Sequence, residues 1–94
     1  MKNYLPIGSV VLLTGGSKPL MIYGRYVRIS GEQLIYDYLG CVYPEGHLTD
    51  KQRFLFNHED IVSILFRGYS DAQEEAFVRN VLNKQDSESN GYDE

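Results

Sequence analysis

Up to Gly68 the chain is cut by glycine and proline into short runs of β-branched and aromatic residues, and only beyond that point does a helical period appear. That pattern restricts it to short strands followed by one helix. Residues 10 to 14, Val-Val-Leu-Leu-Thr, lie between Gly8-Ser9 and Gly15-Gly16 and read as a buried strand between turns. Residues 20 to 29 and 33 to 43 are rich in strand formers and are joined by Ser30-Gly31-Glu32, a hairpin-sized connection. Tyr43-Pro44-Glu45-Gly46, with proline second and glycine fourth, predicts a type I turn ending the third strand. Residues 47 to 52 connect, residues 53 to 56 make a short strand, and Asn57-His58-Glu59-Asp60 makes a turn or single helical turn. Residues 61 to 66, Ile-Val-Ser-Ile-Leu-Phe, make a fifth strand.

A three-residue loop makes paired numbers in the central hairpin sum to 62, so that Arg25 faces Asp37, Tyr26 faces Tyr36, Gly24 faces Tyr38 and Ile22 faces Gly40. Opposite charges and aromatic rings then meet, and large side chains cover the glycines. A two-residue loop shifts every pair by one and loses the ion pair.

After Gly68, Ser70 and Gln73 have the spacing of a capping box. Phe77, Val78, Val81 and Leu82 share one side of the ensuing helix, while Glu74, Glu75, Arg79 and Lys84 turn toward water. The expected class is α+β: about five mostly antiparallel strands, as a curled sheet or a small SH3-like barrel, with one C-terminal helix.

At 94 residues, 43% hydrophobic and 23% charged, the chain has the size and apolar content of one compact domain, taken as residues 1 to 84. The net charge of −4 resides in residues 85 to 94, where Asp86, Glu88, Asp93 and Glu94 have no basic neighbour, and this segment is expected to be a disordered acidic tail. The remaining body is neutral, without the clustered basic residues that nucleic-acid binding requires. Its longest apolar run, residues 10 to 13, is far short of the roughly 20 residues of a membrane-spanning helix. With no signal peptide and a single cysteine, Cys41, a soluble cytoplasmic protein without membrane insertion is expected.

Chemistry-bearing residues are sparse. His47 and His58 have acidic neighbours but no His-X3-His or Glu-X-X-His spacing, and they read as turn residues rather than metal ligands. In Asn57-His58-Glu59-Asp60 an enzyme would use His58 as base and Asp60 as its orienter, yet no nucleophile accompanies them. Asn57 capping the turn and Asp60 leading into the next strand is the simpler reading. Gly15-Gly16-Ser17-Lys18 lacks phosphate-loop spacing, and Cys41 reads as a small buried hydrophobe. No catalytic, metal or cofactor-binding residue is therefore assigned, no cofactor is expected, and the chain is read as not an enzyme. The tyrosines stand out: Tyr23, Tyr26, Tyr36, Tyr38 and Tyr43 all fall on the central hairpin. In the register above, Tyr26, Tyr36 and Tyr38 share one face, and with Arg25 and Arg28 they are the expected partner-binding surface. The alternative is a core whose hydroxyls reach its edge.

Six segments in order, Leu5-Pro6-Ile7-Gly8-Ser9-Val10-Val11, Leu20-Met21-Ile22-Tyr23-Gly24-Arg25, Tyr36-Asp37-Tyr38, Tyr43-Pro44-Glu45-Gly46, Phe56-Asn57-His58-Glu59-Asp60-Ile61 and Phe66-Arg67-Gly68-Tyr69, carry a resemblance over roughly residues 5 to 80. It is to the DUF4176-type proteins, a family of unknown function encoded in Gram-positive bacteria near type VII secretion genes and their LXG toxins. The resemblance implies no activity. Its neighbourhood implies an accessory role: a cytoplasmic partner or targeting factor of a secreted toxin, with an immunity protein as the alternative. A small ligand-binding protein or enzyme using the Asn57-His58-Glu59-Asp60 turn is the rival from another class. With no tryptophan, the chain cannot carry the Trp-X-Gly turn of the small helical proteins which that system secretes.

Overall fold

Strands form between the glycine and proline breaks: β1 (Val10–Leu13), β2 (Leu20–Arg28), β3 (Ile35–Val42), β4 (Arg53–Phe56) and β5 (Ile61–Phe66). They are followed by α1 (Ala72–Phe77), which runs on as a π-helical segment (Val78–Leu82). This computed structural model describes residues 3–84, and the acidic tail expected at residues 85 to 94 lies outside the described residues. The strands make one antiparallel sheet in the order β4-β3-β2-β1-β5. It stays open, with β4 and β5 at its edges, so of the two architectures compatible with the sequence the protein adopts the sheet and not the barrel. β2, β3 and β4 form a meander of sequence neighbours, and β5 returns across the molecule to the free side of β1.

The hairpin register holds only at its inner end. Ile22 faces Gly40 as expected, but the next pair is Gly24 with Leu39, so Tyr23 is an extra residue and a bulge shifts everything beyond it by one. Arg25 lies opposite Tyr38 and Val27 opposite Tyr36, in place of the expected pairs of Arg25 with Asp37, Tyr26 with Tyr36 and Gly24 with Tyr38. Tyr26 takes a left-handed backbone, φ 55°, which a bulky side chain adopts only where its surroundings hold it. Here its ring packs against the core. The connection after β3 also differs: Tyr43-Pro44 is cis and the Gly46 N–H reaches back to Val42 O at 2.7 Å, one residue further than in a type I turn.

Period-two alternation puts Val11 and Leu13 of β1 and Leu20 and Ile22 of β2 on one face, where they meet Tyr38 and Phe56. The N-terminal Tyr4 and Leu5, and Val78 and Leu82 of the helix, close this core from above. Each fully buried aliphatic side chain here contributes about 1.5 to 3 kcal/mol relative to exposure. The helix covers the sheet through a narrower stripe than its sequence suggests. Val78 and Leu82 face inward, while Phe77 and Val81 remain partly in solvent. Asp71, not Ser70, caps it, its Oδ1 accepting the Glu74 N–H at 3.0 Å.

Between β5 and α1 the chain passes hard against the N-terminal segment at Gly68. Its N–H donates to Ser9 Oγ at 2.9 Å, and that hydroxyl donates to Pro6 O at 2.7 Å. A Cβ on Gly68 would press into the Ile7 carbonyl and the Ser9 amide.

Candidate functional site

The densest polar group is built on the β4–β5 turn. Asn57 and Asp60 form a reciprocal capping box around a single 3₁₀ turn (His58–Asp60), with the Asn57 N–H donating to Asp60 Oδ2 at 2.8 Å. Asn57 Oδ1 accepts the Asp37 N–H at 3.0 Å, and the His58 N–H donates to Asp37 Oδ2 at 2.8 Å. The Tyr38 hydroxyl accepts the Leu5 N–H at 3.0 Å and bonds His58 Nδ1 at 2.9 Å. These bonds tie the N-terminal segment, β3 and the β4–β5 turn together. Asp60, the orienter that acid–base chemistry at His58 would need, instead holds the Asn57 amide.

The expected tyrosine surface is not a surface as a unit. Tyr38 is fully buried at the centre of the core, Tyr26 packs against that core, and Tyr36 is half-buried. The Arg25 side chain is 7% exposed and forms a two-pronged ion pair with Glu74, one prong Nη2 to Oε1 at 2.9 Å and the other Nη1 to Oε2. Nη1 also donates to Leu5 O at 3.1 Å, and the guanidinium lies 5.6 Å from the centre of the Phe77 ring. Of the five residues proposed for partner binding, only Arg28 is outright exposed. The bulge at Tyr23 is the physical reason for Arg25, which it brings opposite Tyr38 on the helix side; Tyr38 itself is on that face in either register, because it alternates with Gly40 and Val42 along β3. Asp37, the partner expected for Arg25, goes to the His58 amide, and Glu74, expected in solvent, becomes the counter-ion that docks the helix.

On the opposite face Tyr23 bonds His47 Nδ1 at 2.8 Å, and His47 Nε2 lies 3.3 Å from Asp50 Oδ1. Burial, with the Cys41 and Asp50 charges, raises the Tyr23 pKa against the opposing pull of Arg53, so the phenol stays protonated. Burial likewise raises the Cys41 thiol, and the side chain is almost wholly enclosed. Neither is an activated nucleophile. Among the described residues no group of three or more His, Cys, Asp or Glu side chains could hold a metal ion.

What sequence reasoning missed is apolar and exposed. Two irregularities in the β1–β5 ladder leave Val62 and Leu65 as extra residues on β5, and Val62 (65%), Leu65 (51%) and Phe66 (61%) stand in solvent. On the sheet face away from the helix, Val10, Pro19, Met21, Tyr43, Leu65 and Phe66 line a groove of about 480 Å³. A larger groove of about 690 Å³ between the N-terminal segment and the helix has mixed charge, with Arg67, Glu74, Glu75 and Arg79 in its wall. The run of six residues without charge or proline was the signal, but it reads equally as a buried strand.

An open α+β sheet braced by internal polar bonds, with apolar side chains left on one edge and one face, defines the class. The chain belongs to the family described as a domain of unknown function, DUF4176, whose model matches residues 4–77 and so spans all five strands and α1. No curated protein and no solved structure matches it.

Proposed function

We propose that this protein is a non-enzymatic cytoplasmic interaction module, an accessory partner or targeting factor for a type VII secreted LXG toxin of a Gram-positive bacterium. The observation that carries this reading is the apolar groove on the open sheet face, with the exposed Tyr43, Leu65 and Phe66 at its rim. Exposed apolar concavities of this kind mark protein contacts. The toxin's N-terminal helical region is the partner that suits it, since an amphipathic helix lays one apolar face into such a groove. The polar clusters support the same reading, being engaged in holding the fold together.

Co-purification tests it. The chain is mixed separately with the toxin's N-terminal region and with its toxic domain. Binding to the N-terminal region is expected, weakened by roughly 1 to 3 kcal/mol in a Tyr43→Ala variant, as for an aromatic hot spot. Binding to the toxic domain with loss of toxicity would replace targeting by immunity, and no binding to either would refute the toxin partnership.

A further inference from the structure

We propose that β5 pairs antiparallel with β5 of a second copy of this chain, joining two sheets into one. Among the described residues β5 has a neighbour, β1, on one side only, and its six residues carry neither charge nor proline to discourage another strand. β4, the other edge, is shorter, begins at Arg53 and follows Lys51. The ends of β5 supply the complementarity that points to a copy of itself. Glu59 and Asp60 precede the strand and Arg67 follows it, so antiparallel self-pairing brings the acidic end of each copy to the basic end of the other, twice over. A parallel arrangement would set like charges together.

Two-fold symmetry narrows the register, because in an antiparallel pair some residue must then lie opposite its own copy. Centring on Ile64 brings the Val62 end of each chain alongside the Phe66 end of the other, so that the two most exposed side chains of the strand are covered together. The bulged Val62 and Leu65 break the ladder that hydrogen bonds could extend, so side-chain packing carries much of the contact. A strand of six residues spans roughly 20 Å. The contact therefore falls at the small end of specific interfaces, with a dissociation constant on the order of 10 μM. The inference does not rest on the toxin reading, and the two meet at Phe66, a side chain of the groove rim that the second copy covers.

Sedimentation of the purified full chain from low micromolar to near-millimolar concentration tests it. A reversible monomer–dimer equilibrium is expected, abolished by Val62→Lys or Phe66→Lys. Arg67→Glu should weaken it about tenfold, whereas Arg79→Glu, the same charge change on the helix, should leave it unaltered. If a lysine variant fails to fold, amide exchange of the unaltered protein decides: β5 amides should become more protected as concentration rises. A chain monomeric throughout, a dimer indifferent to these substitutions, or protection appearing elsewhere would overturn the proposal. So would pairing of β5 with a toxin segment by a chain that is monomeric alone.

Discussion

Replacing Tyr38 by Phe removes one oxygen atom from the centre of the molecule and keeps the ring that packs against Phe56, 5.6 Å away, and Tyr4, 6.0 Å away. The cost is therefore that of the hydroxyl's hydrogen bonds, those to Leu5 and His58 among them, and not of a cavity. The Leu5 amide, on a residue that is 1% exposed, loses its acceptor and is left buried, which costs about 1 to 3 kcal/mol. His58, at the surface, loses a partner that water replaces, so that bond contributes at most about 1 kcal/mol. A total near 2 to 3 kcal/mol lowers the melting temperature by roughly 10 to 20 °C in a domain of this size. Urea unfolding of Tyr38→Phe, His58→Ala and the double variant measures it, and because both single variants remove the same bond, the double variant should cost less than their sum by about 0.5 to 1 kcal/mol. A Tyr38→Phe protein within 0.5 kcal/mol of the parent would refute the brace. The hydroxyl would then not be what holds the N-terminal segment to the β4–β5 turn.

Other outcomes follow from single contacts. Glu74→Ala leaves the Arg25 guanidinium largely enclosed without its carboxylate and should destabilise by about 3 kcal/mol in denaturant titration, whereas Arg25→Met with Glu74→Leu should recover much of the loss. A change below 1 kcal/mol in Glu74→Ala would mean that the pair does not dock the helix. Cys41 should resist thiol reagents in native buffer and react on unfolding, because it is enclosed and its pKa is raised by burial; rapid native modification would contradict this. The hydrogen bond from Lys18 lowers the Glu45 pKa below its ordinary 4.5. Its folded pKa is the depressed one, so the contribution is present above the ordinary value and fades as pH falls through the folded midpoint. Side-chain NMR should show a midpoint that rises toward the ordinary value in Lys18→Ala and in high salt, the backbone hydrogen bond to Glu45 keeping part of the lowering.

The sequence made β4 and β5 legible to the residue and β1 to within one, because each is a short apolar run with clear breaks on both sides. The Asn57 capping turn was equally plain, since Asn57 and Asp60 interact within four residues. The hairpin interior was not. A bulge at Tyr23 has no signature of its own in a strand where every nearby residue suits a sheet, and it is selected by what lies far away, the demand of Glu74 and Leu5 for the Arg25 guanidinium. The helix cap failed for the same reason. Ser70 with Gln73 and Asp71 with Glu74 are two overlapping boxes, and the second is the one that leaves Glu74 in the first turn, facing Arg25. Tyr38 follows the alternative of a tyrosine core, since it shares the Ile22 face in either register, and the exposed β5 edge was hidden because hydrophobicity alone does not distinguish a strand covered by protein from one awaiting a cover.

Gly68 shows where this family has no room to drift. A link between a strand and a helix is ordinarily the place where insertions and substitutions accumulate, because nothing packs on it. Here the backbone of that link lies against Ile7 and Ser9 with no space for a methyl group. Even alanine would pry the N-terminal segment away from the start of the helix. Variation in relatives that keep this architecture should therefore accumulate in residues 29 to 34 and 47 to 52, while residue 68 remains glycine and the Ser9 side chain remains a small acceptor.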